Sequence, residues 1–173
     1  MDSNFKQSLK SVLINEGGWF DHHRDPGGVT MKGVTLTTYR TIYGQDKTKN
    51  ELKNITDEEL HNIYYNNYWL KASCDKLPLG VDYAVFDAAV NSGPRRARRW
   101  LQEAAGVSTD GIIGPKTLKA IEHIPEIKLI DTIIDARLRF MQSLSIWKYF
   151  GKGWKKRIDR VRSTSIKMHF KER

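Results

Sequence analysis

Cysteine is almost absent from this chain, since Cys74 is the only one among its 173 residues. One cysteine excludes an internal disulfide and a zinc site built from cysteines, and we expect it to be a small core residue. The sequence also lacks long hydrophobic runs, so it predicts no transmembrane helix. Residues 1–11 contain no continuous apolar stretch, and we therefore expect no secretory signal peptide.

Strand-like alternation of polar and apolar residues is also scarce, and internal repeats and low-complexity tracts are missing. There is no phosphate-binding loop of the Walker type and no His-Glu-x-x-His motif. Most of the chain shows helical periodicity instead, which predicts about seven helices and at most one small β-hairpin, within residues 28–35. The length is sufficient to bury a core without disulfides.

The net charge of +9 is unevenly distributed. Residues 147–173 contain ten lysines and arginines against two acidic residues. Five side chains in this tail recur at helical spacing, which predicts an amphipathic helix that buries Trp154, Ile158, Val161, Ser165 and Met168. Its cationic face would attract anionic polymers or lipids, although a merely solvated face is the simpler alternative.

Besides Asp21, residues 15–35 combine two candidate functional carboxylates, five glycines and two threonines. The carboxylates, Glu16 and Asp25, are nine positions apart, and glycines at this density predict a shaped loop that a ligand can approach closely. A stripe of apolar residues ahead of the loop predicts a helix that ends at Gly17. Glu16 would lie in its last turn, where the helix dipole disfavours a charged carboxylate and so favours the protonated form that a general acid needs. An ordinary solvated Glu before a glycine stop is the alternative.

The middle of the chain shows several helix signals. Thr35 is a candidate N-cap for a short helix over residues 36–43, a role that competes with a direct one at a site, and the polar residues 44–54 predict a surface loop. Thr56 and Glu59 form a capping box, which starts a helix to about Leu70. Its aromatic side chains, Tyr68 and Trp69 among them, can stack on sugar rings but at helical spacing are more often core.

Residues 81–90 are apolar on almost every side, which predicts a buried central helix. Asp82 lies near its end and can be solvated. Asp87 and Asn91 lie four residues apart on one face, so either they bond to backbone at neighbouring helix ends, which we favour, or they open onto a cleft. Pro94 and Pro115 each predict the first turn of a further helix, and Arg95, Arg96, Arg98 and Arg99 form an exposed basic run on the first of these.

Three motifs in residues 16–35 resemble the signature of glycoside hydrolase family 108, the N-acetylmuramidases found as phage endolysins and bacterial "secretion activator" proteins. The motifs are Glu16-Gly17-Gly18-Trp19, Asp25-Pro26-Gly27-Gly28 and Lys32-Gly33-Val34-Thr35. The resemblance continues through Tyr68-Trp69 and residues 80–93. Residues 110–117 also resemble the repeat of small peptidoglycan-binding domains.

From the helix pattern and this resemblance we expect a mainly α, lysozyme-like fold with a buried central helix. Residues 1–92 would form the catalytic region. Residues 93–173 would form a helical peptidoglycan-binding-like lobe that ends in the basic helix and packs with the first region as one globular unit.

The resemblance implies hydrolysis of the β-1,4 bond between N-acetylmuramic acid and N-acetylglucosamine in peptidoglycan, with Glu16 as general acid. Asp25 is our candidate for the second carboxylate, although Asp-Pro-Gly-Gly is also good turn chemistry. The candidate substrate-binding residues are Thr30, Thr35, Tyr68, Trp69 and Asn91.

Other classes of function predict different residues. A zinc peptidase or amidase of the cell wall would use His22, His23, His61 and Asp25 as ligands, but no ligand-spaced motif supports it. A noncatalytic wall-binding module would need residues 110–117 and not Glu16. A nucleic-acid binder would need a recognition motif, and none is present.

We therefore expect a bacteriolytic monomer without cofactor, metal or nucleic-acid partner. Its partner would be peptidoglycan, with anionic outer-membrane or wall polymers attracted to the basic helix. It would be made in the cytoplasm and would reach the wall through a holin or another release route.

Overall fold

The structure, a computed structural model, describes residues 3–21 and 28–171. The chain forms two compact units. Residues 6–66 form the hairpin unit, and residues 67–173 together with the start of the chain up to Phe5 form the helical unit. The division that the sequence suggests, between residues 92 and 93, stays a prediction.

The fold is mainly α, as the sequence predicts. The described residues form nine α-helices: α1 Ser3–Glu16, α2 Leu36–Tyr43, α3 Lys49–Lys53, α4 Asp57–Tyr64, α5 Val81–Ser92, α6 Pro94–Ala104, α7 Pro115–Ile121, α8 Glu126–Gln142 and α9 Trp147–Phe170. A π-helical segment, Tyr65–Trp69, continues α4, and a short 3-10 helix covers Cys74–Lys76.

The sheet is antiparallel and has the order β1 Trp19–Phe20, β2 Thr30–Met31, β3 Val34–Thr35. It contains the expected hairpin, β2 with β3, and one additional strand. A strand of two residues carries too little alternation to be recognised in the sequence.

Capping residues set the helix boundaries of the hairpin unit. Thr35 accepts a hydrogen bond from the Thr38 N–H at the start of α2. The predicted capping box of Thr56 and Glu59 starts α4. The expectation of a surface loop over residues 44–54 is wrong in part, because Thr48 and Glu51 form a second capping box that starts α3. Reciprocal bonds of this kind satisfy backbone donors that a helix start leaves open.

Helix α5 is the buried centre of the helical unit, as predicted. Its residues from Val81 to Ala89 are all buried, and it packs against α6, α8 and α9. Asp82 is not solvated, contrary to expectation. Its Oδ1 accepts hydrogen bonds from the N–H groups of Gly80 at 2.8 Å and Tyr83 at 2.6 Å, so it serves the first turn of α5.

Asp87 forms a buried ion cluster with two arginines from other helices. Arg137 of α8 donates from Nη1 to Asp87 Oδ2 at 2.7 Å, and Arg157 of α9 donates from Nη2 to Oδ1 at 3.0 Å. The side chains of Asp87 and Arg137 are fully buried. Both readings of Asp87 from the sequence are therefore wrong, because it neither bonds to helix-end backbone nor faces a cleft.

Burial by itself raises the pKa of the Asp87 carboxyl, but the charges of Arg137 and Arg157 outweigh it, so the pKa lies below its usual range. Asn91, one turn further along α5, accepts a hydrogen bond from Arg137 Nη2 at 3.1 Å. One guanidinium thus ties two turns of the central helix to α8.

The amphipathic tail is confirmed as α9, whose buried residues are Gly151, Ile158, Val161, Ser165 and Met168. Trp154, which we expected on the buried edge, is only half-buried and lies beside Trp147 and Phe150. Glycine is needed at position 80, where φ is +89° and an added Cβ would lie 2.4 Å from the Ser165 carbonyl oxygen of α9. The two helices approach here at backbone distance. Among the residues that the structure describes, no helix is both long and apolar enough to cross a membrane.

Replacement of Arg137 by Met should destabilise the protein strongly. The change keeps the volume but leaves the buried Asp87 carboxylate with Arg157 alone, and breaking a buried pair costs about 3–5 kcal/mol. Arg139→Met is the matched control, because its exposed pair with Glu103 is worth about 1 kcal/mol or less. Urea unfolding of both variants measures the difference, and equal midpoints would contradict the role assigned to the cluster.

The contribution of Asp87 should depend on pH. Because its folded pKa is lowered, its stabilisation is present above the ordinary carboxyl pKa and is lost as the pH falls through the folded value. Asp87→Asn should therefore be less stable than wild type near neutral pH, with a difference that shrinks in acid. Free energies of unfolding between about pH 7 and pH 3 test this, and a difference that stays constant would exclude it.

Candidate active site in the hairpin unit

Glu16 is the last residue of α1 and is half-buried. Gly17 follows with φ of +70°, a left-handed conformation that ends the helix where the sequence predicts. A Cβ built on Gly17 or Gly18 would meet no described atom within 4 Å. The carboxylate is thus fixed by a helix end and followed by two residues whose surroundings are open.

The small sheet presents two rows of side chains. Phe20, Thr30 and Thr35 are cross-strand neighbours, as are Trp19, Met31 and Val34. Residues directly opposite each other in an antiparallel sheet share a face. Val34 is buried, whereas Phe20 is 48% exposed, so the row of Phe20, Thr30 and Thr35 forms the open face.

Lys32 and Gly33 form the turn between β2 and β3. Both have positive φ, +48° and +78°, which identifies a two-residue type I′ hairpin turn. An ideal Cβ on Gly33 would lie 2.5 Å from the Tyr64 hydroxyl oxygen and 2.8 Å from Glu16 Oε2. The tip of the hairpin therefore fits against the carboxylate and the phenol only because residue 33 has no side chain.

Tyr64 holds this turn in place from α4. Its buried hydroxyl donates to the Lys32 carbonyl oxygen at 2.8 Å. Lys32 also forms a surface ion pair, Nζ to Asp57 Oδ1 at 3.5 Å, at the start of the same helix. The hairpin tip is thus fixed to α4 through both the backbone and the side chain of Lys32.

The start of α4 is braced by Glu59. Its Oε2 accepts from the Thr56 N–H at 2.9 Å, and its Oε1 accepts from the Tyr39 hydroxyl of α2 at 2.8 Å. Burial and the neighbouring Glu59 carboxylate raise the pKa of Tyr39 to about 12, so the phenol stays a donor. Burial raises the pKa of Glu59, but the bonds from Thr56 and Tyr39 outweigh it and hold that pKa below its usual value. A charged, satisfied Glu59 therefore joins α2 to α4.

Three predicted site residues belong to this unit and are described. Glu16 lies against the hairpin tip, and Thr30 is half-buried on the open face. Thr35 accepts from the Thr38 N–H at 3.0 Å and donates to its Oγ1 at 3.0 Å, so its hydroxyl works as a helix cap. Asp25 lies outside the described residues and remains a prediction.

The other three predicted site residues belong to the helical unit. Tyr68 is half-buried on the π-helical segment, and Asn91 is exposed at the end of α5. Both remain predictions as substrate contacts. Trp69 does not support its prediction, because it is 0% exposed and its ring packs edge-on against Phe5 and Phe86 at centroid distances of 5.3 Å. Trp69 is a core residue, the more common role of an aromatic side chain at helical spacing.

The zinc hypothesis depended on three histidines and Asp25. Of these only His61 is described, and its ring stacks on Tyr65 at 6.3 Å. Burial, together with the charge of Lys6, lowers the pKa of His61. Within residues 3–21 and 28–171, no group of three His, Cys, Asp or Glu side chains could hold a metal ion.

Tyr64 and Gly33 are the site residues that the sequence analysis missed. A local signal existed for Gly33, since Lys-Gly between two short β-prone pairs is typical of a hairpin turn. Tyr64 gave a weaker signal, because a tyrosine among buried apolar positions needs a partner for its hydroxyl, but the sequence does not name that partner.

This geometry, a carboxylate at a helix end held beside a glycine hairpin in a mainly α fold, fits a lysozyme-like glycoside hydrolase. The family model of Glycosyl hydrolase 108 matches residues 9–93, and the model of a Predicted Peptidoglycan domain matches residues 96–159. The solved structure of Brucella abortus SagA is 42% identical, covers 96% of this chain and 95% of its own, and superposes with a TM-score of 0.86. No curated protein matches the chain.

The chain belongs to the glycosyl hydrolase 108 family and carries a peptidoglycan-binding-like region at its C-terminal side. Family membership makes it a glycoside hydrolase that acts on peptidoglycan. Glu16, Gly33 and Tyr64 all lie within the residues that the hydrolase model matches.

Replacement of Gly33 by Ala should disrupt the site. The new methyl group would collide with the Tyr64 hydroxyl and with Glu16 Oε2 at a positive φ, so the hairpin tip must move away from the carboxylate. We expect a loss of about 1–3 kcal/mol in stability and at least about tenfold in peptidoglycan hydrolysis. Gly153→Ala, on α9 of the helical unit, is the control, since its Cβ would meet no described atom within 4 Å. Equal activities of the two variants would show that the contact with Gly33 is dispensable.

Proposed function

We propose that the chain is an N-acetylmuramidase that cleaves the β-1,4 bond between N-acetylmuramic acid and N-acetylglucosamine, with Glu16 as the general acid. The main support is that the Glu16 carboxylate lies against Gly33, within the region matched by the glycosyl hydrolase 108 model. The first family motif of the sequence contains this residue.

Glu16 would protonate the glycosidic oxygen as the bond to the sugar breaks. Such a step needs an acid held in one place, because a carboxyl that is even 1 Å from its productive position loses much of its effect. The last turn of α1 fixes its backbone, and the hairpin tip limits where its side chain can go. Tyr64 supports the arrangement by donating a hydrogen bond to the Lys32 carbonyl oxygen of the hairpin turn.

A second carboxylate completes the chemistry of most glycoside hydrolases, either as nucleophile or as the base that activates water. We assign this role to Asp25, which would orient water or stabilise positive charge on the sugar. Thr30 or Thr35, which are cross-strand neighbours on the open face of the sheet, would help to hold that water. The separation of the two carboxyl groups would decide between retention and inversion of configuration.

We further propose where the enzyme acts. It would be released from the cytoplasm by a holin or another route and would lyse cells from the wall side, as a phage endolysin or an antimicrobial hydrolase does. The exposed lysines of α9 support an attraction to anionic wall or outer-membrane polymers, since a cationic helix face raises the local concentration of polyanions.

The decisive test is digestion of purified peptidoglycan by wild type and by Glu16→Gln, with the products identified by mass spectrometry. Glutamine keeps the shape of the side chain and removes the acid, so we expect a loss of about 10²-fold or more in rate. Wild type should release disaccharide-peptides with muramic acid at the reducing end. Glu58→Gln, a change of an exposed carboxylate on α4, is the matched control and should keep full activity.

Three results would overturn the proposal. Full activity of Glu16→Gln would remove Glu16 from the chemistry. Products cut in the peptide would instead establish a peptidase or amidase, and wall binding without any products would establish a noncatalytic module.

A further inference from the structure

The start of α6 is surrounded by arginines that share one cavity. The cavity has a volume of about 380 Å³ and is lined by Ser92, Gly93, Pro94, Arg95, Arg96 and Arg99. The three arginines are exposed, and the lining contains no acidic side chain. Three positive charges therefore face one concave surface of the helical unit.

Each of these three arginine side chains makes a different contact with its neighbours. The Arg95 stem lies against Gly111, whose missing Cβ would be 3.1 Å from Arg95 Cγ. The Arg96 guanidinium lies 4.2 Å from the centre of the Phe140 ring, a cation–π contact. Arg99 Nε donates to the Thr109 carbonyl oxygen at 2.8 Å.

The loop that supplies two of these contacts is itself fixed to α6. Gln102, which is buried, accepts from the Gly111 N–H at 2.7 Å and donates to Asp110 Oδ1 at 2.7 Å. Asp110 also accepts from the Ile112 N–H at 2.8 Å. The hydrogen bond from the Gln102 side chain, which is the larger cause, and the one from the Ile112 N–H lower the pKa of the Asp110 carboxyl. The carboxylate of this loop is thus already hydrogen-bonded within the loop and to α6.

The three arginines differ from others of the same unit in having no acidic partner. Four arginines of α8 and α9 pair with carboxylates, namely Arg137, Arg139, Arg157 and Arg162. Arg95, Arg96 and Arg99 form no ion pair with any residue in the described ranges. Side chains that are positioned by neighbours but left without a counter-charge are suited to an anionic ligand.

We propose that this cavity binds the carboxylates of the peptidoglycan stem peptide. Guanidinium groups present parallel N–H donors that match a planar carboxylate, and several in one cavity suit a peptide with several carboxylates. Two of the three, Arg96 and Arg99, lie within the residues matched by the Predicted Peptidoglycan domain. The inference rests on peptidoglycan as the substrate, and it gives the helical unit a separate role in holding the peptide while the glycan is cut.

The test uses a free stem tetrapeptide, which contains no glycosidic bond, so its outcome does not depend on Glu16 or on muramidase activity. Binding is measured by calorimetry and by NMR of the arginine Nε–H resonances in the full chain. Wild type should bind the tetrapeptide and should not bind the same peptide with its carboxylates amidated. Inorganic phosphate, the probe for phosphate-containing wall polymers, should bind more weakly than the tetrapeptide.

The variant Arg95→Gln/Arg96→Gln/Arg99→Gln should lose affinity at least about tenfold. Its control is Lys76→Gln/Lys119→Gln/Lys128→Gln, which removes the same charge from exposed sites of the helical unit and should bind as wild type does. The variant Arg95→Lys/Arg96→Lys/Arg99→Lys keeps the three positive charges but loses the parallel N–H donors of the guanidinium groups. Its affinity should lie between those of the two glutamine variants. Equal urea midpoints establish that the variants are folded.

Three results would overturn the inference. The arginine variant could bind as well as its lysine control, the amidated peptide could bind as tightly as the acidic one, or phosphate could bind more tightly than the tetrapeptide. The last would assign the cavity to a phosphate polymer instead.

Discussion

The helical unit depends on neutralising one buried carboxylate. Asp87 is placed in the middle of a helix whose other side chains are nearly all apolar, and a lone charge there would cost several kcal/mol. Arg137 and Arg157 reach it from two different helices, so α8 and α9 must both lie against α5 for the charge to be satisfied. An apolar contact tolerates small shifts of one helix relative to another, whereas hydrogen bonds between buried ions do not. The cluster therefore fixes the arrangement of the three helices more narrowly than apolar packing alone would.

The hairpin unit depends instead on Gly33, a position that has no room for a side chain. The Tyr64 hydroxyl oxygen and Glu16 Oε2 lie 2.5 and 2.8 Å from the point where a Cβ on Gly33 would be. The carboxylate can occupy its position only because residue 33 has no side chain. The supporting contacts form a chain: the Lys32 carbonyl accepts from Tyr64 on α4, and Glu59 at the start of α4 binds both its own N-cap and Tyr39. Backbone and hydroxyl contacts in this way position the hairpin tip against the carboxylate.

Local signals allowed much of the fold to be predicted. Gly17 ends α1, Thr35 and Thr56 start α2 and α4, and Pro94 and Pro115 open α6 and α7, because each acts through backbone groups within four residues. The capping box of Thr48 and Glu51 is equally local, but the polar residues around it favoured the prediction of a surface loop. The partners of Asp87 were not predictable, since they lie 50 and 70 residues away. The same applies to the site, where Glu16 follows from its motif but its contact with Gly33 and the support from Tyr64 depend on tertiary packing.

The division into two units separates the tryptophans as well. Four of the five belong to the helical unit, namely Trp69, Trp100, Trp147 and Trp154, and Trp19 belongs to the hairpin unit. Trp19 is half-buried on β1, with Lys53 Nζ 5.7 Å from its ring centre. With the other four indoles replaced by phenylalanine, intrinsic fluorescence would come from the hairpin unit alone. The chain thus contains an optical reporter two residues after the helix end at Gly17, close to the carboxylate whose position matters most.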